Sequence, residues 1–393
     1  MSFSSSLRRL LPQLPRDYVR RRRAVRRLTN VFLIALVSVA TAYFITSPTG
    51  GRGFAPPKSA LQSIPSSTPA GNSSASPSSA SDASDGYNLA PGPHAVSEVS
   101  DLVLHNAQRS RDLHVRIFYP SEAGPYPVIV FSHGAGGSQD CCEALTRHWA
   151  AYGYVTIQPT HDDSALQRRN SGEENIRFLE AVRDALKKPA LWESRLQDIS
   201  FVLDSLSVLE HRVPGLVGNM DKDRIGVGGH SMGSYTAEAI AGAWIDLPGH
   251  PASNLADPRV KAVLALSPQG PGQFGLNDHS FDRIALPYLG ITGSLDSFGP
   301  RASPAWHKFP FEHCQPGDKY HLFIEGANHA SFITARSLSP NHAAQSQAIL
   351  GYTNSAALAF WDAYLKNDAR AKQYLQSDTL EKSSHAAAKL SRR

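Results

Sequence analysis

Within the 393-residue chain, one serine lies at the centre of a Gly-x-Ser-x-Gly spacing: Gly229-His230-Ser231-Met232-Gly233, inside "RIGVGGHSMGSYTA" (Arg224 to Ala237). That spacing needs only three fixed residues, so alone it does not separate a nucleophile from a small residue in a tight turn. A serine hydroxyl attacks an acyl carbonyl only when a base removes its proton and an acid orients that base. The oxyanion that forms also needs N–H donors fixed in place. Of the sixteen histidines, His329 stands out, because "YHLFIEGANHASF" places it three residues past an apolar run that ends in glycine. Asp296 follows Gly293 in "LPYLGITGSLDSFG" in the same way, whereas Asp257, Asp282 and Glu325 precede or lie within such runs. "FSHGAGGS" (Phe131 to Ser138) carries three glycines and offers the Ala135 amide, which the Met232 amide would complement. It lacks the lysine of a phosphate loop and the G-x-G-x-x-G spacing of a dinucleotide site. His133 reads as a brace for this loop, and His230 as a side chain directed away from its neighbour Ser231. Phe298 and Phe332 flank the acid and the base and read as walls of an acyl pocket, with ordinary core packing as the alternative. No cysteine or histidine cluster has metal-ligand spacing.

These residues need elements that present them along one edge. "DLHVRIFYP" (Asp112 to Pro120) alternates as a half-exposed strand does, and "YPVIVFSHG" (Tyr126 to Gly134) is a continuous apolar run suited to a buried parallel strand. Further strands are predicted at 154–161, 224–229, 260–268, 286–293 and 320–326, with helical patterns between them, notably Arg195 to Glu210 and a last one from Ala343. Repetition of strand, helix and strand on this scale implies a mostly parallel sheet covered on both faces. Ser231 then falls at a sharp strand-to-helix turn, and Gly229 and Gly233 let the backbones approach each other. Gly270 to Asp282 is the one stretch suited to a short cap.

The flanking segments differ in composition. Residues 1–27 form a basic tail with nine arginines against Asp17, while the whole chain carries a formal +5. Outside the tail the chain is therefore slightly acidic, which excludes a nucleic-acid-binding body. Residues 28–46 carry no charge, and as a helix they would rise about 28 Å, enough to span a bilayer. The arginines orient the span with the body across the membrane, periplasmic or extracellular. A signal sequence cleaved at Ala40-Thr41-Ala42 is the alternative, and it exports the body as well. Residues 47–89, rich in Ser, Pro, Ala and Gly, read as a disordered tether, residues 90–376 as the folded domain, and 377–393 as a loose tail. Cys141, Cys142 and Cys314 allow one bridge from the adjacent pair to Cys314, or three reduced thiols.

The order Ser231, Asp296, His329, with the glycine loop upstream, is that of α/β-hydrolases. The pieces "RDLHVRIFYP", "PVIVFSHGAGG", "GYVTIQPTHDDS", "RLQDISFVLDSL", "GVGGHSMGSYTA", "ITGSLD" and "GANHASF" resemble that superfamily. Within it they resemble the platelet-activating-factor acetylhydrolase and dienelactone-hydrolase-like branch. The resemblance implies an α/β-hydrolase fold with an eight-stranded sheet and a serine-dependent ester hydrolase acting on a small-molecule or lipid ester without a cofactor. Dienelactone hydrolases use a cysteine where this chain has Ser231, so that chemistry is not carried over. The competing readings are an acyltransferase using the same three side chains and a non-catalytic binding protein on the same scaffold.

Overall fold

A computed structural model describes residue 87 and residues 91–297, 302–333 and 343–393. The expected anchor at 28–46 and Phe298 lie outside these residues, as does the tether apart from Tyr87. Among the described residues no helix is long and apolar enough to cross a membrane. Tyr87, assigned to the tether by composition, is part of the folded body. It packs on Tyr374 with ring centroids 5.1 Å apart, and its carbonyl accepts a hydrogen bond from Ser355 Oγ.

The main sheet has nine strands in the order β1-β2-β4-β3-β5-β8-β9-β10-β11. These are β1 (Val96–Asn106), β2 (Arg111–Pro120), β3 (Tyr126–Ser132), β4 (Val155–Pro159), β5 (Met220–His230), β8 (Val260–Leu266), β9 (Tyr288–Gly293), β10 (Lys319–Ile324) and β11 (Ala388–Arg392). A separate hairpin joins β6 (Trp244–Leu247) and β7 (His250–Asn254). The strands from β4 through β10 pair in parallel, while β2 runs antiparallel to both its neighbours. This is a mixed α/β fold with a large, mostly parallel sheet, consistent with an α/β-hydrolase. It has one strand more than the eight expected.

The extra strand corrects the reading of 377–393 as a loose tail. That segment folds as a short helix, Thr379–Ser383, and then β11, which pairs antiparallel with β10 from Tyr320↔Arg392 to Ile324↔Ala388. Too few apolar residues lie in "AKLSR" for the stretch to announce a strand. Its stability comes from the open edge of β10, which is distant in sequence.

Helices cover both faces, as continuous apolar runs in the central strands require. On one face lie α1 (Glu143–Ala151) and α2 (Ala343–Leu365). Trp149 and Trp361 meet there edge to face at 5.9 Å, and Trp361 lies so close to β5 that a Cβ at Gly226 would be 2.5 Å from its ring. On the other face lie the helices Pro189–Asp204 and Met232–Ile240. Gly270 to Asp282 is drawn into this core rather than left as a free cap, with Phe274 buried against Trp192 and Tyr235. All three cysteines are free and buried. Cys314 belongs to the core cluster on the opposite face from Cys141 and Cys142, so the bridge considered above does not form.

One core acid gives the fold a pH dependence. Glu238, on the helix after Ser231, is fully buried and accepts a 2.8 Å hydrogen bond from the Tyr288 hydroxyl. Burial pushes its carboxyl from 4.5 up to about 8. Between those values the native state holds a proton that the unfolded chain lacks, so stability falls as pH rises from about 4.5 to about 8. At roughly 1.4 kcal/mol per pH unit the loss is of the order of a few kcal/mol. Glu238→Gln, which cannot ionise, is expected to melt like the parent at pH ~5 and several degrees above it at pH ~9. Parallel melting curves across that range would overturn the assignment.

Candidate active site

Ser231 occupies the turn between β5 and the helix Met232–Ile240 with φ 57° and ψ −119°, a strained conformation for a residue with a side chain. The turn closes because its flanks carry no Cβ. A side-chain carbon at Gly229 would lie 2.1 Å from the Gly233 carbonyl oxygen, and one at Gly233 would lie 2.0 Å from that of Ser132. The Ser231 amide donates to the Leu266 carbonyl at 2.9 Å, tying the turn to the end of β8.

The end of β8 also holds the acid. Asp296 is fully buried, and its Oδ2 accepts hydrogen bonds from Ser267 Oγ at 2.6 Å and Thr292 Oγ1 at 2.9 Å. On its other oxygen, Oδ1, it accepts from His329 Nδ1 at 2.9 Å. His307 Nε2 lies 3.3 Å from the same oxygen, while the opposite ring nitrogen donates to the Pro268 carbonyl at 2.6 Å. The donor atoms of Asp296, His307 and His329 lie within 4.8 Å of one another, a spacing set by two rings converging on one carboxylate. Burial opposes the charge on Asp296, and the His329 and His307 imidazoles outweigh it, holding the carboxyl well below its usual range. Burial dominates at His329 and lowers its pKa to about 4 against the upward pull of Asp296, so the ring is neutral at neutral pH.

Neighbouring parallel strands bring these groups together. β5 leads into the Ser231 turn, β8 to Ser267, β9 to Asp296, and β10 to the turn His329–Phe332, which Asn328 caps by accepting from the Ala330 amide at 2.9 Å. His230 is not directed away from the site. Its ring lies 4.7 Å from that of His329, and its Nε2 donates to the His329 carbonyl at 2.9 Å. Consecutive β5 side chains point to opposite faces, and that argument ceases to hold where the strand gives way to the elbow. Phe332 is fully buried in the core and presents no surface to a ligand, which corrects its reading as a pocket wall. Its position beside the base places it under the turn, where it contacts the His230 ring at 6.5 Å.

The glycine loop passes over the serine. A Cβ at Gly134 would be 3.5 Å from Ser231 Cβ. Met232 supplies the first amide of its helix, where the helix dipole favours negative charge. Neither that amide nor the Ala135 amide donates to another group among the described residues. His133 is a brace as expected: Nδ1–H donates to the Gly134 carbonyl at 2.6 Å, and Nε2 accepts from the His161 amide at 3.0 Å. The sequence reading assigned no role to Asp163, Arg195 or His307. For Asp163 and Arg195 a signal was present: the charges of "THDDS" directly follow the apolar run "YVTIQP", and Arg195 opens the amphipathic helix pattern "RLQDISFVLDSL".

No curated protein matches the chain. A family model described as Chlorophyllase matches residues 89–248, a span that contains the glycine loop and Ser231 and ends before Asp296 and His329. That similarity is to a family of carboxylic ester hydrolases of the α/β-hydrolase type, and together with the sheet it supports the chain as a hydrolase at the level of that superfamily.

Proposed function

We propose that the protein is a serine-dependent carboxylic ester hydrolase in which Ser231 is the nucleophile, His329 the base and Asp296 the residue that orients the base. The reading rests above all on the 2.9 Å hydrogen bond from His329 to the buried Asp296, formed beside the strained Ser231 turn. His329 takes the hydroxyl proton as Ser231 Oγ adds to the ester carbonyl. The Ala135 and Met232 amides receive the oxyanion. Collapse expels the alcohol, which leaves with the proton held on His329, and the acyl group stays on Ser231. Water, deprotonated by the same imidazole, then releases the acid. The substrates are short-acyl lipid or other small esters. The uncharged 28–46 segment tethers the domain outside the cytoplasm, or exports it and is removed.

A fluorophosphonate probe tests the nucleophile. The expected result is a single covalent adduct that peptide mass spectrometry places on Ser231, with loss of p-nitrophenyl acetate hydrolysis in proportion to labelling. Ser132 is the informative control, because Ser132 Oγ lies 2.9 Å from His161 Nε2, and Nδ1 of that ring lies 2.9 Å from Asp198. These residues have the connectivity of a Ser-His-Asp triad, but all three are buried at 1%, 0% and 1% exposure, out of reach of an ester. An adduct on Ser132, or none at all, would sink the proposed mechanism.

A further inference from the structure

We propose that Arg195, paired with Asp163, is the positioning residue of the oxyanion site: it aims the Ala135 amide at the developing oxyanion through the peptide unit that precedes that residue. This inference rests on the ester-hydrolase reading above. Arg195 and Asp163 are both completely buried, and the guanidinium meets the carboxylate in a two-pronged contact, with Nε to Oδ1 and Nη2 to Oδ2, each at 2.8 Å. A buried pair of this kind seldom improves stability over an apolar one, so its position calls for another explanation.

The remaining hydrogen bonds of the pair supply that explanation, because they go to the glycine loop and to Ser132 Oγ at its entry. Arg195 Nη1 donates to the His133 carbonyl at 2.7 Å, and Nη2 donates to the Gly134 carbonyl at 3.1 Å. Asp163 Oδ2 accepts from the Gly136 amide at 2.8 Å. The Gly134 carbonyl and the Ala135 N–H belong to one planar trans peptide and point in opposite directions. Holding the carbonyl toward the arginine therefore turns the N–H away from it, and the Asp163 contact holds the next peptide in turn. Gly136 reaches that contact with φ +72°, which glycine adopts freely, and a Cβ there would be 2.9 Å from Val182. The guanidinium charge on the carbonyl also polarises the peptide and strengthens its N–H as a donor.

A second layer anchors the entry to the loop. Ser132, the residue before His133, donates to His161 Nε2, and His161 Nδ1–H donates to Asp198. Burial first, and then the Arg195 charge, keep the His161 pKa well below the usual histidine range, which fixes it as the neutral ring this chain of bonds requires. Asp198 is held from outside by Arg109 at 2.5 Å and by Arg111. The triad-like connectivity around Ser132 is thus a clamp on the loop rather than a second reactive centre.

The test uses the full chain with p-nitrophenyl acetate and a trifluoromethyl ketone, which forms an oxyanion adduct on the serine. Arg195→Lys keeps the charge and loses the fork. It is expected to lower kcat about 100-fold with KM changed by less than about twofold, and to weaken the ketone by a similar factor. The acid limb of the pH profile, which reports His329, should not move. Should Arg195→Lys fail to fold, the double variant Arg195→Leu with Asp163→Leu removes both buried charges and is expected to show the same split. A folded variant that keeps wild-type kcat and ketone affinity overturns the inference. So does one whose loss falls on KM, or whose acid limb shifts together with the rate, since either locates the damage away from the oxyanion donors. If the unaltered protein neither hydrolyses the ester nor reacts with the probe, the ester-hydrolase reading itself has failed.

Discussion

Ser231→Ala is expected to lower kcat for p-nitrophenyl acetate by roughly a million-fold, the scale on which a triad nucleophile acts. In the proposed mechanism the hydroxyl oxygen forms the acyl-enzyme, and no neighbouring hydroxyl is placed to replace it. Ser234, three residues on, spends its own hydroxyl on the Ser231 carbonyl at 2.6 Å. KM should change little, because one hydroxyl contributes little to ground-state binding and the rest of the site is intact. Folding should be preserved, since alanine adds no atom to the turn and the glycines that permit it are unchanged. The measurement is steady-state hydrolysis by purified protein whose melting temperature matches the parent. Activity within tenfold of wild type would remove Ser231 from the mechanism.

Asp296→Asn is the second large effect, at about ten-thousand-fold in kcat. The carboxylate accepts from Ser267 and Thr292 on one oxygen and from His329 on the other, so every position around it expects an acceptor. An asparagine amide must point its NH2 at donors on one side or the other. If it faces His329, the ring turns or changes tautomer, and the nitrogen that should receive the serine proton becomes the protonated one. The pH profile separates this from general damage. In the parent, burial holds His329 at about 4, so kcat/KM should fall as pH drops through that value and the base becomes charged. Asp296 raises the pKa of that imidazole, so its replacement is expected to move the acid limb to lower pH while the plateau collapses. An acid limb displaced upward, or a loss below tenfold, would contradict the role assigned to Asp296.

Much of the scaffold was readable because local pattern reports local structure. Continuous apolar runs ending in glycine locate the buried parallel strands, and chemistry-bearing residues just past such runs fall on one rim of the sheet. That pattern singles out Asp296 and His329 in separate segments, and the fold joins them by a hydrogen bond. Some elements carried weak local signals. β1 mixes polar and apolar residues and slips register between Val99 and Leu102, as an edge strand with one wet face can. β11 was missed because its stability resides in its partner.

What the sequence determined by itself was the type of scaffold, the serine turn with its obligatory glycines, and the loop able to offer free amides. Each of these is imposed by residues adjacent in the chain, through backbone sterics and hydrophobic periodicity. The tertiary structure alone decided that His230 lies against His329, that Phe332 serves the core, that His307 lies beside Asp296, and that Arg195 and Asp163 grip the loop across 61 and 27 positions of chain. Those contacts depend on which strand ends are neighbours, and a buried charge shows its purpose only once the partner that compensates its desolvation has been brought to it.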